Sequence, residues 1–158
     1  MSTPVTTLHS HPQSLLQRIW ATSDHWAPLV LRVVAGIIFA AHGSQKLFGW
    51  FGGYGLDGTG QWMDSVGLAP GHLMALLAGS AEFFGGLLLI LGLLVRPAAL
   101  VLAVTMVVAI AKVHVSHGLF LTNNGYEYAL ALLAISVALV LSGAGRVSFD
   151  RVLSLRAR

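Results

Sequence analysis

Four apolar runs, each close to the length that crosses a bilayer, constrain this chain more than any other feature. They cover about 28–48, 72–95, 97–117 and 126–142. A helix rises 1.5 Å per residue, so about 20 residues traverse about 30 Å of hydrocarbon. In hydrocarbon every backbone N–H and C=O has to be paired within the spanning structure, which leaves helices or closed barrels. Runs of this length without period-two alternation specify helices. Composition removes the soluble alternative: 56% of residues are hydrophobic and only 9% are charged, against about 25% charged in soluble domains. The expected fold is all-α, a polytopic membrane protein built as a four-transmembrane-helix bundle.

The punctuation divides the chain into an N-terminal tail (1–27), the four-helix domain (28–145) and a basic C-terminal tail (146–158). Pro28 suits a first helical turn, where its missing N–H is not needed. Arg96-Pro97 is expected to stop the second helix, Gly118 the third, and Gly143-Ala144-Gly145 the fourth. In the tail, Leu15, Leu16, Ile19 and Trp20 fall at helical spacing and suit a short helix on the membrane surface. Outside the apolar cores, arginine occurs at positions 18, 96, 146, 151, 156 and 158, all at one end of the bundle. The opposite loops, about 49–71 and 118–125, contain no Lys or Arg. The positive-inside rule therefore places both termini in the cytoplasm, with the 49–71 loop on the periplasmic or exterior side if the host is bacterial. The same topology accounts for the net charge of +3 without nucleic acid.

Ionisable groups inside a span are costly, face the bundle interior and mark function by default. His42, Gln45 and Lys46 lie in the outer half of the first helix, Glu82 near the middle of the second, Lys112, His114 and His117 in the outer half of the third, and Glu127 at the start of the fourth. Arg32 is near the cytoplasmic end, where its side chain is expected to snorkel to the headgroups. At about 100° per residue, Arg32, Gly36, Phe39, Gly43 and Lys46 share a stripe, with His42 beside it. Small residues, among them Gly79 and Gly86, surround Glu82 and permit close helix approach. Lys112 and His114 point to nearly opposite sides, so they enter one pocket only if the third helix is distorted. Two lysines against two glutamates predict a paired network, Glu82 and Glu127 with Lys46 and Lys112, in an order the spacing does not give. Such a network is either a clasp that fixes helix order or a site for a polar head, with Glu82 or His42 relaying protons.

The segment after the first helix, Gly49 to Gly60 with Trp50, Phe51 and Tyr54, reads as a pliable interfacial loop over this cluster. A short helix is expected only over Gln61–Gly67, with Trp62, Met63 and Val66 facing the membrane. The phosphate-loop pattern is absent. The histidines raise a lesser alternative, haem held by His42 with His114 or His117; His9 and His11 make a weaker pair in the tail. No cysteine occurs, so thiol chemistry would belong to a partner.

Several ordered motifs resemble the DoxX family of small bacterial membrane proteins. They are His42-Gly43-x-x-Lys46-Leu47-Phe48-Gly49 leading into Phe51-Gly52-Gly53, Glu82 in a glycine-rich second helix, Arg96-Pro97, Asn124-Gly125-Tyr126-Glu127-Tyr128, and Gly143-x-Gly145-Arg146-x-Ser148-x-Asp150. The resemblance covers about 28–151 and implies a four-helix membrane domain. It also implies association with quinone-linked oxidation and with oxidoreductase complexes that handle oxidative stress. The reading that follows is a redox-associated subunit, an oxidoreductase component if catalytic, that binds a quinone or similar amphiphile beneath the outer segment. His42, Gln45, Lys46, Glu82, Lys112, His114, Glu127, Trp50 and Phe51 are its candidate contacts. A redox partner protein and a homo-oligomer are the expected associations besides lipid. The rivals are a non-enzymatic scaffold that recruits a partner through Trp50 and Phe51, and a small oligomeric transporter.

Overall fold

The computed structural model describes residues 22–156; the expected surface helix at 15–20 and the His9/His11 pair lie outside them. Among the described residues there is no strand. The α-helices are α1 (Ala27–Phe48), α2 (Gly55–Ser65), α3 (Gly71–Leu91), α4 (Val95–Ala109), α5 (Glu127–Ser142) and α6 (Phe149–Arg156). The α4 segment continues through a π-helical turn, Ile110–His114, and a 3₁₀ turn, Val115–His117. Three helices have the length and apolarity to cross a membrane: Ala27–Phe48, Gly71–Leu91 and Val95–His117. The fourth, α5, has 16 residues and completes the four-helix bundle by packing along α4. Ala35, Phe39, Leu89, Leu102, Leu132 and Leu139 form the centre of the core. The outer surface is apolar as well: Val34, Leu77, Phe84, Val104 and Leu141 are all exposed, as expected of a surface that faces lipid.

The tightest packing joins α1 to α3, which run antiparallel. Gly36 faces Gly86 and Gly43 faces Gly79, each pair at a seven-residue spacing. A Cβ on Gly43 would lie 2.3 Å from Phe83 N and 2.7 Å from Gly79 O; a Cβ on Gly86 would lie 2.5 Å from Ala40 N. These contacts are backbone against backbone, so no side-chain movement relieves them. Lipid tails are as apolar as leucine, and van der Waals contact of this kind is what holds membrane helices together.

At the end where α1 begins, Arg32 departs from the snorkelling expectation. It is 2% exposed. Its Nε donates to Ala144 O at 3.0 Å, its Nη1 to Leu89 O at 2.9 Å and Ile90 O at 2.6 Å, and its Nη2 to Val147 O. A guanidinium carries five N–H donors in a rigid fork, which suits it to carbonyls converging from the end of α3 and the linker between α5 and α6. Burial is tolerable because those carbonyls replace water. The end of α3 explains why they are within reach. The helix stops at Gly92, whose φ of 69° is left-handed, and not at Arg96-Pro97, which sits in the first turn of α4. Leu93 N donates to Leu88 O, the Schellman pattern. A Cβ at Gly92 would also lie 2.8 Å from Arg32 Cζ. Asp150, likewise 2% exposed, caps the start of α4 by accepting from Leu94 N at 2.7 Å and Val95 N at 2.9 Å. Burial pushes its carboxyl up from the ordinary range, while those two amides, Arg32 and Arg96 act in the opposite direction. Arg96 donates to Val140 O, tying α4 to α5.

The glycine-rich segment is the largest departure from the sequence expectation. Gly49, with φ 71°, ends α1, and the 3₁₀ turn Trp50–Gly52 follows; from Gly55 the chain is helical, six residues before the expected start. Each glycine in a helix costs about 1 kcal/mol relative to alanine, so propensity argues for a loop over Gly55–Gly60. Tertiary contact overrides it. Gly60 lies against the start of α3, where a Cβ would be 2.9 Å from His72 Cα, and Asp64 Oδ1 accepts from Gly71 N at 2.6 Å. Met63 is buried within the protein instead of facing the membrane, while Trp62 stays exposed.

Gly43→Ala is therefore expected to lower stability by about 1–3 kcal/mol or more, because the added methyl overpacks a backbone contact. Val104→Ala on the exposed face should change it by less than about 1 kcal/mol. Reversible unfolding in detergent or bicelles measures both, and equal effects would contradict the packing account.

Candidate functional site

The end of the α1–α3 seam where α1 terminates holds an ion pair. Lys46 lies in the last turn of α1 and Glu82 near the middle of α3. Gly79, one turn before Glu82, has only hydrogen where a Cβ would lie 3.2 Å from Lys46 Cβ. The lysine stem therefore lies flat on α3, and its Nζ reaches Glu82 Oε2 at 2.6 Å. The side chain of Glu82 is 5% exposed and that of Lys46 is 24% exposed. The carboxylate is thus sealed within the bundle, while the lysine side chain remains partly exposed.

Lys46 borders a cavity of about 520 Å³. Gln45 and Lys46 line it from α1; Tyr54, Thr59 and Trp62 line it from α2 and its cap, with backbone of Gly52, Gly53 and Gly58 between them. The walls are close because Gly53 lies against α1, where a Cβ would be 2.4 Å from Gln45 O. Gln45 Nε2 donates to Phe51 O at 3.3 Å, tying the turn to α1. Phe48 stacks with Trp50 at 5.0 Å and meets Phe83 edge-on at 5.3 Å. An ammonium has three donors, and Glu82 takes one. The site therefore offers a partly desolvated cation and a buried counter-charge below an aromatic and glycine-lined recess. Its volume falls within the range of about 300–1,000 Å³ common for small-molecule sites.

Of the expected site residues, Gln45, Lys46 and Glu82 come together here. The others do not join them. His42 is on the exposed side of α1, with its ring 6.0 Å from that of Tyr128. The α4 extension is distorted, as convergence of Lys112 and His114 would require, yet Lys112 is exposed and His114 Nδ1 pairs with Asn124 O at 2.8 Å. His117 Nδ1 pairs with Val113 O at 2.9 Å. Glu127 Oε1 accepts from Leu121 N at 2.6 Å, closing the turn before α5, and among the described residues no ion pair joins it to Lys112. So one of the two expected pairings forms; the remaining carboxylate caps a turn. Among the described residues no group of three or more His, Cys, Asp or Glu is placed to hold a metal ion. Trp50 and Phe51 are exposed and lie outside the cavity lining.

Tyr54, Thr59 and Trp62 were not among the expected contacts. Tyr54, Gly58 and Trp62 recur every four residues, a stripe on one helical face. That signal was legible in the sequence but depends on recognising α2 as helical from Gly55.

Comparison with known proteins gives a consistent family. The DoxX family profile matches residues 27–115. A Bacillus subtilis protein described as "Putative oxidoreductase CatD" is 36% identical over 111 residues, covering 70% of this chain and 76% of that protein. A Haemophilus influenzae protein described as uncharacterized is 35% identical over 127 residues, covering 76% and 85%. An uncharacterized membrane protein of Mycobacterium tuberculosis is 33% identical over 140 residues, covering 82% of each. No solved structure gives a significant match.

The unequal burial of Lys46 and Glu82 makes their substitutions unequal. Lys46→Met leaves a sealed carboxylate without its partner and should cost about 3–5 kcal/mol. Glu82→Gln leaves a cation that can turn toward the cavity and should cost less. The Lys46→Met/Glu82→Gln double variant should recover much of the loss. A double-mutant cycle on unfolding free energies tests this, and additive effects would rule out a coupled pair.

Proposed function

The chain belongs to the DoxX family, and on that premise we propose a membrane-embedded, redox-associated subunit that binds a quinone or similar amphiphile in the Lys46 cavity. The observation that carries this reading is the Lys46–Glu82 pair at 2.6 Å, open on its lysine side to a recess of about 520 Å³. The description of the Bacillus subtilis relative as an oxidoreductase is consistent with it. The recess suits a flat ring. Trp62 and Tyr54 supply aromatic faces, the glycine backbone leaves room beside them, and the neighbouring lipid-facing surface accommodates an apolar tail.

A bound quinone accepts two electrons and two protons to become a quinol. Lys46 donates a hydrogen bond to a ring oxygen and stabilises the negative charge that develops there, an interaction worth more in a partly desolvated site. Glu82 holds the ammonium in position and is the group through which a proton can be replaced. The chain has no cysteine and no nucleotide-binding fingerprint, so the electrons are assigned to a partner redox protein. We place the protein in the bacterial inner membrane with both termini cytoplasmic. Arg96, Arg146, Arg151 and Arg156 gather at one end, and the loops at the other, 49–71 and 118–125, carry no Lys or Arg.

A second reading, a scaffold that recruits a partner, draws on one observation. Phe51 is 76% exposed and held at φ 53°, a conformation uncommon for a bulky residue. Under it, Trp50→Ala and Phe51→Ala abolish a partner contact that Lys46→Met preserves.

Purification in mild detergent, followed by lipid and quinone extraction and an optical spectrum, tests the first reading and also detects haem. Bound quinone or saturable binding of a quinone analogue is expected. Lys46→Met should weaken that binding about tenfold, the worth of one charge-assisted hydrogen bond, and Trp62→Ala should weaken it further. Absence of binding by the wild-type protein would reject the reading.

A further inference from the structure

The bundle end opposite the cavity carries a second feature, independent of the quinone reading. The α6 helix begins seven residues after α5 ends. Its position is set by hydrogen bonds: Asp150 accepts from Leu94 N and Val95 N, and Asp150 N donates to Gly92 O at 2.9 Å. Those partners are the first residues of α4 and the residue that ends α3. The first turn of α6 is therefore held level with the ends of the spans, at the edge of the hydrocarbon.

With Asp150 turned inward, the other face is uncovered. Phe149, Val152 and Leu155 are 55%, 48% and 60% exposed. At about 100° per residue they lie within about 120° of one another, centred on Val152. Arg151 borders this apolar face, Arg156 falls on it at the last position of the helix, and Arg146 precedes it. Arg146 also lies 5.7 Å from the ring of Trp26, which is 56% exposed. Asp24 contacts both Arg146 and Arg151, at 3.3 Å and 2.6 Å, so one carboxylate faces two guanidinium groups and the local balance stays positive.

We propose that α6 is a surface-lying anchor whose Phe149, Val152 and Leu155 enter the headgroup–acyl boundary of the adjoining leaflet while Arg146, Arg151 and Arg156 bind the phosphates of anionic phospholipid. Two arguments select lipid as the occupant. The apolar face is continuous with the lipid-facing surface of the spans, through exposed Leu94 and Leu141. The flanking charges are complementary to anionic headgroups, with stems long enough to reach them from a helix sunk about 5–10 Å into the boundary. Asp150 thus links the anchor directly to the start of α4.

The chain has no cysteine, so Val152→Cys gives a unique site for a spin label on the full-length protein. The protein is reconstituted in vesicles of phosphatidylcholine alone and of phosphatidylcholine and phosphatidylglycerol in equal parts. The label is expected at the headgroup–acyl boundary, reached by oxygen more than by a water-soluble nickel chelate, and deeper with phosphatidylglycerol. Replacing Arg146, Arg151 and Arg156 with Gln should remove that difference. It should also lower the phosphatidylglycerol retained through purification by roughly fivefold per arginine. Asp24→Asn, which frees both of its arginine partners, should raise retention. A label that is fully aqueous, shielded from both relaxing agents by protein, or indifferent to phosphatidylglycerol would overturn the proposal.

Discussion

The contact on which the rest of the molecule depends is the meeting of two helix backbones at four glycines. Gly36 against Gly86 and Gly43 against Gly79 bring α1 and α3 closer than any side chain permits. In water such a seam would compete with hydrophobic burial. In lipid it is among the few ways to make one helix prefer another over solvent. Its register has chemical consequences at both ends. One turn beyond the Gly43–Gly79 contact, Lys46 lies across α3 and reaches Glu82. Four residues before Gly36, Arg32 lies beside the last carbonyls of α3.

The two ends solve the same problem in different ways. A charge within apolar surroundings needs partners that replace water. Arg32 is satisfied by the carbonyls of Leu89, Ile90, Ala144 and Val147, and Asp150 by the amides of Leu94 and Val95. These are backbone groups of helix ends and of the linker between α5 and α6, so this end is knitted shut and reads as structure. At the other end Glu82 is paired with Lys46, and Lys46 borders a cavity. A lysine with one side sealed and one side open can exchange a ligand without dismantling the fold. This contrast points to the Lys46 end for the candidate chemistry and leaves the Arg32 end to anchor the helices.

The segment over the cavity differs from a mobile cover. Much of it is α2, a helix tolerated despite three glycines because Gly60 lies against the start of α3 and Asp64 caps that helix. Access to Lys46 therefore depends on side chains, chiefly Tyr54 and Trp62, and on the turn at Trp50–Gly52, where Phe51 adopts a left-handed conformation. The rigid part positions aromatic rings, and the short turn is the place where movement would be least costly.

Much of this was determined by sequence alone. Apolar runs with few charges specify spanning helices, because hydrocarbon leaves the backbone no other means of pairing. Glycine at seven-residue spacing on the Lys46 stripe, and small residues around Glu82, specify which faces can approach, because helical periodicity is local. Only tertiary structure decided the rest. The choice of Lys46 for Glu82, and of the Leu121 amide for Glu127, depends on register between helices, which no local pattern encodes. Arg32 became an interior staple instead of a snorkelling side chain because Gly92 ended α3 early and left carbonyls within reach. The glycines from Gly55 to Gly60 became helical because neighbouring backbone outweighed their intrinsic preference. Each of these outcomes depends on a partner distant in sequence, and distance in sequence is what periodicity and propensity cannot measure.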